Sequence, residues 1–235
     1  MRFSCVGNDA AGSIRGAAVV IDVLRAFTLA AMLLDRGATQ LVLVDDVDDA
    51  LALRTRFPDC LAVTDGARDP RFDLTNSPGQ LLTTEVDVRG RTIVQRTTNG
   101  TAGALGAWRA SVLLCAGLTT ASATARFLRA HVDPDDDVTF VISGEHGNAD
   151  EDLAAAELIA AKIEAASEDE ARRIDPTPFV DRVHRSAAAD DLRAGLTKGY
   201  TGIHPDDIDL ACAVDQHDFA MEARVVDGEL RLLRR

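Results

Sequence analysis

Apolar residues in this chain fall in short runs, each followed by a polar or glycine-containing turn and then by helical spacing. Three segments share that order. Residues 17–21 are wholly apolar, Asp22 to Arg25 make the turn, and helical spacing runs on through Leu34, with Gly37 placed to end a helix. Residues 92–94 lead into Thr97-Thr98-Asn99-Gly100-Thr101 and a helix through Trp108. Residues 138–142 lead into Ser143-Gly144-Glu145-His146-Gly147 and a long helix from about Asp150 to Ala166.

Further apolar runs stand at 40–44, 61–63 and 111–115. Short, almost wholly apolar strands alternating with helices predict an α/β fold, with a parallel or mostly parallel sheet covered on both faces. The expectation is one α/β unit over residues 1–235, with two fused lobes meeting at the active site as a variant of it. Residues 167–176 are charged and end in Pro, which reads as a solvated helix end and loop. Residues 223–226 and 229–233 flank Asp227-Gly228, a hairpin with a tight turn.

Charge narrows the partners. The chain carries a net −13, which disfavours nucleic acid and anionic lipid, because both bind through clustered cations. An anionic substrate would need a cationic pocket or a bound metal to overcome that field. The four cysteines form no CxxC and no metal-type spacing, and Cys60 and Cys115 lie in apolar segments as small core residues. With no signal-like stretch at the start and no run near membrane-span length, the expected setting is the cytoplasm. A homodimer is left open.

In open α/β sheets ligands collect where strands end and loops enter helices, and the three polar turns lie at such ends. Asp22 reads as a helix cap or as a site residue. Arg25 tilts that choice, because a cation in a first helical turn opposes the helix dipole unless an anion binds there. The 97–101 loop offers hydroxyls, an amide and a glycine around which backbone N–H groups can wrap an anion; an ordinary capped turn would look similar. Glu145, Asp150, Glu151 and Asp152 supply up to four carboxylates, which the helix dipole alone would accommodate. Combined with Asp22, such hard oxygen ligands suit Mg²⁺. Asp22-Val23-Leu24 lacks the second Asp of an aspartyl-phosphate DxD signature, and cysteine-phosphatase, P-loop, GxGxxG and HExxH patterns are absent.

Four ordered motifs carry a resemblance: residues 19–26 (VVIDVLRA), 72–78 (FDLTNSP), 97–101 (TTNGT), and Gly147 through Glu151-Asp152. Together with Gly199-Tyr200, Asp206-Asp207-Ile208, Cys212 and Asp215, they resemble the successive signatures of the 2-phosphosulfolactate phosphatases. The resemblance implies Mg²⁺-dependent hydrolysis of a small anionic phosphoester, in coenzyme M synthesis where that pathway exists. It further implies Asp22, Glu151 and Asp152 as catalytic acids and metal ligands. Arg25 and Thr97, Thr98, Asn99, Gly100 and Thr101 would hold the anionic groups, with Asn76 and Ser77 lining the site. The chain departs from the pattern at Thr64-Asp65-Gly66-Ala67, where the family usually has Gly-Glu, and in the charged Ser143-Gly144-Glu145-His146 loop. A non-catalytic anion-binding protein, or another metal-dependent hydrolase or lyase of phosphorylated hydroxy acids, are the alternatives.

Overall fold

The computed structural model describes residues 1–235, apart from the side chain of Glu145. Its strands are β1 (Arg2–Gly7), β2 (Ala17–Ile21), β3 (Gln40–Val44), β4 (Leu61–Thr64), β5 (Leu74–Thr75), β6 (Thr92–Arg96), β7 (Val112–Ala116), β8 (Asp137–Ile142), β9 (Met221–Val226) and β10 (Glu229–Arg234). The first helices are α1 (Ala26–Asp35), α2 (Val47–Arg56), α3 (Pro78–Thr83), α4 (Gly100–Gly106) and α5 (Ala121–His131). The remainder are α6 (Asp150–Glu164), α7 (Glu168–Arg173), α8 (Thr177–Arg185), α9 (Ala187–Thr197) and α10 (Asp207–Ala211).

All ten strands form one sheet in the order β1-β8-β2-β7-β9-β10-β3-β6-β4-β5. Strands β1, β8, β2 and β7 are mutually parallel, as are β3, β6, β4 and β5. The hairpin β9–β10 joins the two sets through antiparallel pairings on both sides. The fold is therefore α/β with a mostly parallel sheet, and its two halves run in opposite senses. From β2 to β6 is five strand steps, over which a twist of roughly 20–25° per step accumulates to about 100–125°. That rotation turns the reversed half back, so that the carboxyl ends of β2 and β6 can share one crevice.

Period-two alternation explains the layers. Along β2, Ala18 and Val20 face a core shared with Phe27, Leu29 and Leu33 of α1, while Val19 and Ile21 face one with Leu128 of α5 and Leu158 and Ile159 of α6. The first of these cores continues across the second half through Leu41, Leu43, Ile93 and Val63. A smaller cluster of Ala62, Val94 and Phe72 packs with Ala50 of α2. Among the described residues, no helix is long and apolar enough to cross a membrane.

Several local expectations shift. Strand β1 pairs with β8 at the sheet edge, although its residues have only weak apolar patterning. The charged stretch read as a helix end and loop contains a separate helix, α7, started by the Ser167 hydroxyl accepting from the Glu170 amide. Helix α4 stops at Gly106, before Trp108. Residues 72–78 contain β5 and lead into α3. Asp227 (φ 53°) and Gly228 (φ 83°) both take left-handed backbone, as the two-residue hairpin turn demands.

Candidate active site

Asp22 lies immediately after β2, and its Oδ1 accepts from the Ala26 amide at 2.9 Å, the first amide of α1. It therefore does cap that helix. It also lines a cavity of about 340 Å³ together with Leu24, Arg25, Asp65, Asn76 and Asn99. Burial pushes its carboxyl up to about 6, and the charge of Asp65 adds to that shift. Hydrogen bonds from Ala26 and Ser143 and the charge of Arg25 pull the other way. The carboxylate thus sits where proton exchange near neutrality is accessible.

The two halves of the sheet touch at this point. A Cβ on Gly100 would lie 2.6 Å from Asp22 Oδ2 and 2.9 Å from the Ala26 methyl, so only glycine lets the second half's loop approach so closely. Gln95, buried in β6, donates through Nε2 to the Ala26 carbonyl at 2.9 Å. Asn8 spans the other rim, donating to the carbonyls of Asn99 (3.1 Å) and Ser143 (3.2 Å).

Behind Asp22 stands Asp152, buried in the first turn of α6. Its Oδ1 accepts from the Val23 amide at 2.9 Å, and its Oδ2 accepts from Ser143 Oγ at 3.2 Å and the Gly144 amide at 3.3 Å. Burial, and then the charges of Asp22 and Glu151, hold its carboxyl well above the usual range. Glu151 is buried beside it, whereas Asp150 is exposed and pairs with Arg182. Glu145, a fourth candidate, has a side chain outside the described residues. Among the described residues, no three His, Cys, Asp or Glu side chains are gathered as a metal cage. Asp22, Glu151 and Asp152 are thus neighbours without forming one, because Asp152 turns both oxygens toward the Val23 amide and the 143–144 loop.

Arg25 precedes the first turn of α1 instead of lying within it. Its Nη1 donates to Asp207 Oδ2 at 2.6 Å and to the Gly202 carbonyl at 2.9 Å. The conflict with the helix dipole is therefore relieved by a carboxylate of the chain itself.

The 97–101 loop is largely self-satisfied. The Thr97 amide donates to Thr101 Oγ1 (3.0 Å), the Thr101 amide to Thr97 Oγ1 (3.1 Å), and Thr101 Oγ1 to the Thr97 carbonyl (2.6 Å). The Thr98 amide goes to Asp65 Oδ2 at 2.6 Å. Three backbone donors expected for an anion are thus spent internally. Thr97, Thr98 and Asn99 still line the cavity, whereas Thr101 is fully buried beneath it. Ser77 is also fully buried, its hydroxyl donating to Asp207 Oδ1 at 2.7 Å and accepting from the Gln80 amide. Asn76 reaches the cavity wall, with its buried Oδ1 lacking a hydrogen-bond partner among the described residues.

Asp191 of α9 and Asp207 join this site without having been assigned roles in the sequence reading, and Asp65 proves to face Asp22 across the cavity. Asp65 is held by Arg96 Nη1 at 2.7 Å. Its position at the end of β4 was the available signal. Asp191 offered none, because α9 reaches the cavity only through long-range packing.

Comparison with known proteins agrees with this arrangement. The family model described as 2-phosphosulpholactate phosphatase matches residues 7–203. A "Probable 2-phosphosulfolactate phosphatase" of Bacillus subtilis is 32% identical over 222 residues, covering 92% of this chain and 90% of the relative. Proteins of the same printed name from Thermus thermophilus and Deinococcus radiodurans are 37% and 40% identical. The Thermus match covers 73% of this chain and 75% of the relative, and the Deinococcus match 61% and 60%. With the match running through the loops that carry Asp22, Asn76, Thr97 and Asp152, this chain belongs to the 2-phosphosulfolactate phosphatase family.

Proposed function

We propose that this chain is a phosphoric monoester hydrolase that converts a small, highly anionic phosphoester, 2-phosphosulfolactate first among them, to the hydroxy acid and phosphate, using Mg²⁺ in the cytoplasm. The observation that carries the reading is the charge inventory of the cavity. Asp22, Asp65 and Asp191 line it against a single Arg25, whose charge is already balanced by Asp207. A polyanion would be repelled from such a pocket unless a cation entered with it.

The residues fit a divalent cation. Two acids, Asp22 and Asp152, are held above their usual range, first by burial and then by neighbouring carboxylates, Asp65 for Asp22 and Asp22 with Glu151 for Asp152, and a cation would favour their ionised forms. Mg²⁺ takes one or two protein carboxylates plus water and substrate phosphate, so the lack of a three-carboxylate cage suits it. Asp22 and Asp65 would hold it, one from each half of the sheet, with Glu151 and Asp152 adding negative field behind. When bound, it would neutralise charge on the phosphoryl oxygens.

The chain's own groups supply the rest. Asp22 is placed to hold or accept a proton as water oxygen bonds to phosphorus and the ester P–O bond breaks, the leaving oxygen ending protonated. Asn76 Oδ1 offers an acceptor to a donor on the ligand or its water shell. Arg25 contributes its remaining guanidinium donors. Helix α9 forms one wall of the cavity with Ala188, Asp191 and Leu192.

The test is phosphate release from a panel of phosphorylated hydroxy acids, with and without chelation. EDTA is expected to abolish turnover and Mg²⁺ to restore it, with the sulfonated substrate fastest. Full activity after exhaustive chelation would remove the metal from the reading, and no release from any member would remove the phosphatase.

A further inference from the structure

Asp207 lies beyond residues 7–203, the span matched by the family model, yet it is fully buried and holds four donors. Oδ1 accepts from Ser77 Oγ at 2.7 Å and from the Gly79 amide at 2.9 Å. Oδ2 accepts from Arg25 Nη1 at 2.6 Å and from the His204 amide at 3.0 Å. Ser77 and Gly79 begin α3 in the second half of the molecule, whereas Arg25 precedes α1 in the first. One carboxylate therefore ties the two halves together beside the cavity.

The segment that delivers it is seated on the second half. Gln80 Nε2 donates to the carbonyls of Thr201 (2.7 Å) and Ile203 (3.2 Å), and the Arg68 amide donates to Thr201 Oγ1 at 3.3 Å. Gly202 packs so closely on the Gly66 carbonyl that a Cβ there would stand 1.9 Å from its oxygen. From this seat the segment presents the Gly202 carbonyl and the Asp207 carboxylate to the same guanidinium nitrogen.

We propose that Asp207 is a positioning residue of the hydrolytic site, acting through Arg25; this rests on the phosphatase reading above. Nη1 carries two hydrogens, and both are taken, one by Gly202 and one by Asp207. The plane of the guanidinium is thereby set, and Nε and Nη2 are the donors left for an anion in the cavity. Asp22 and Asp65 also line that cavity. Asp207 and Gly202 hold Arg25 away from a closed pairing with them. Burying an ion pair is an inefficient route to stability, because desolvation offsets the attraction, which favours a role in orientation.

The experiment is a double-mutant cycle of Asp207→Asn and Arg25→Gln, read as kcat and KM with 2-phosphosulfolactate and Mg²⁺, each variant first shown to be folded by circular dichroism. Asp207→Asn is expected to lower kcat/KM roughly ten- to a hundred-fold, the scale of one charge-assisted hydrogen bond. In the Arg25→Gln background the same change is expected to add less than about twofold, because its effect passes through Arg25. Additive losses, or wild-type kcat/KM in a folded Asp207→Asn protein, would overturn the proposal. Should Asp207→Asn not fold, Ser77→Ala loosens Asp207 from the second half. It is expected to show the same non-additivity with Arg25→Gln at a smaller size, and additivity there overturns the proposal equally. If the wild type releases no phosphate, the phosphatase reading falls on its own. The cycle is then read from the rise in melting temperature produced by inorganic phosphate with Mg²⁺. That rise should shrink alike in the Asp207 and Arg25 variants, and its full retention in Asp207→Asn sinks the proposal.

Discussion

The two halves of the sheet repeat one strand–turn–helix grammar but furnish opposite kinds of chemistry. At the end of β2 the first half places Asp22 against Asp152, both buried, while the nearby Arg25 is paired with Asp207. At the end of β6 the second half places a threonine loop whose Thr97 and Thr101 donors are satisfied within it, the Thr98 amide going to Asp65. Its carboxylate, Asp65, is half-buried and paired with Arg96. Desolvation makes the difference. A carboxylate largely removed from water and not directly ion-paired is costly to ionise and becomes responsive to an added cation or proton, whereas a paired one is settled. The first half is accordingly reactive, and the second half shapes the space in front of it.

The strongest way to break that contrast is Asp22→Asn. Loss of a positioned acid–base group costs about 10²–10⁴ in rate, so kcat/KM should fall by that order, while the amide oxygen still caps Ala26. Stability should move the other way. In chelated protein, the folded state holds the Asp22 proton up to about 6 against an ordinary value of 3.8. That contribution is full below about pH 4 and is lost as pH rises to about 6, on the order of 2–3 kcal/mol as an upper bound. Denaturant unfolding in EDTA from pH 4 to 7.5 should show this decline in the wild type and a flatter profile in the Asn variant. A decline unchanged by the substitution would mean that Asp22 is not the group responsible.

A smaller effect is expected at Asp65, across the cavity. Asp65→Asn removes a charge that raises Asp22, so the acidic limb of the pH–rate profile should shift to lower pH. Its pairing with Arg96 is partly exposed and contributes under about 1 kcal/mol, so melting temperature should barely change. Activity should drop about tenfold if Asp65 helps to hold the cation, and titration calorimetry should show correspondingly weaker Mg²⁺ binding. Unaltered Mg²⁺ affinity would confine Asp65 to the loop that it anchors.

The smallest effect on turnover is expected at Thr101. Thr101→Val leaves the buried Thr97 amide without its acceptor, costing roughly 1–3 kcal/mol, with kcat/KM within about threefold of wild type. A collapse of activity at unchanged stability would instead place the threonine loop among the reactive groups.

Much of this was legible in the chain itself. The apolar runs at 17–21 and 40–44 are strands β2 and β3 to the residue, and Asp227-Gly228 is the turn its composition announced. These are local properties: side-chain alternation and the tolerance of glycine and aspartate for left-handed backbone act within a few residues. The motifs around Asp22, Asn76, Thr97 and Asp152 likewise carried the family. Local patterning was too weak to mark β1, and it gave no sign that the charged segment before Pro176 would wind into α7.

Other properties belong to the fold alone. Nothing in the run from Asp22 to Arg25 states that Arg25 will meet a carboxylate 182 residues later, or that Ser77 will serve that carboxylate instead of a ligand. Nor does sequence spacing tell which of three adjacent acids turns outward, as Asp150 does toward Arg182, and which two are buried. Sequence determined which segments become strands and helices, and which polar turns stand at their ends. Tertiary structure decided which of those turns meet, which charges lose their water and which are already paired, because desolvation and counter-ion contact depend on neighbours distant in the chain and brought close only by the twist of one continuous sheet.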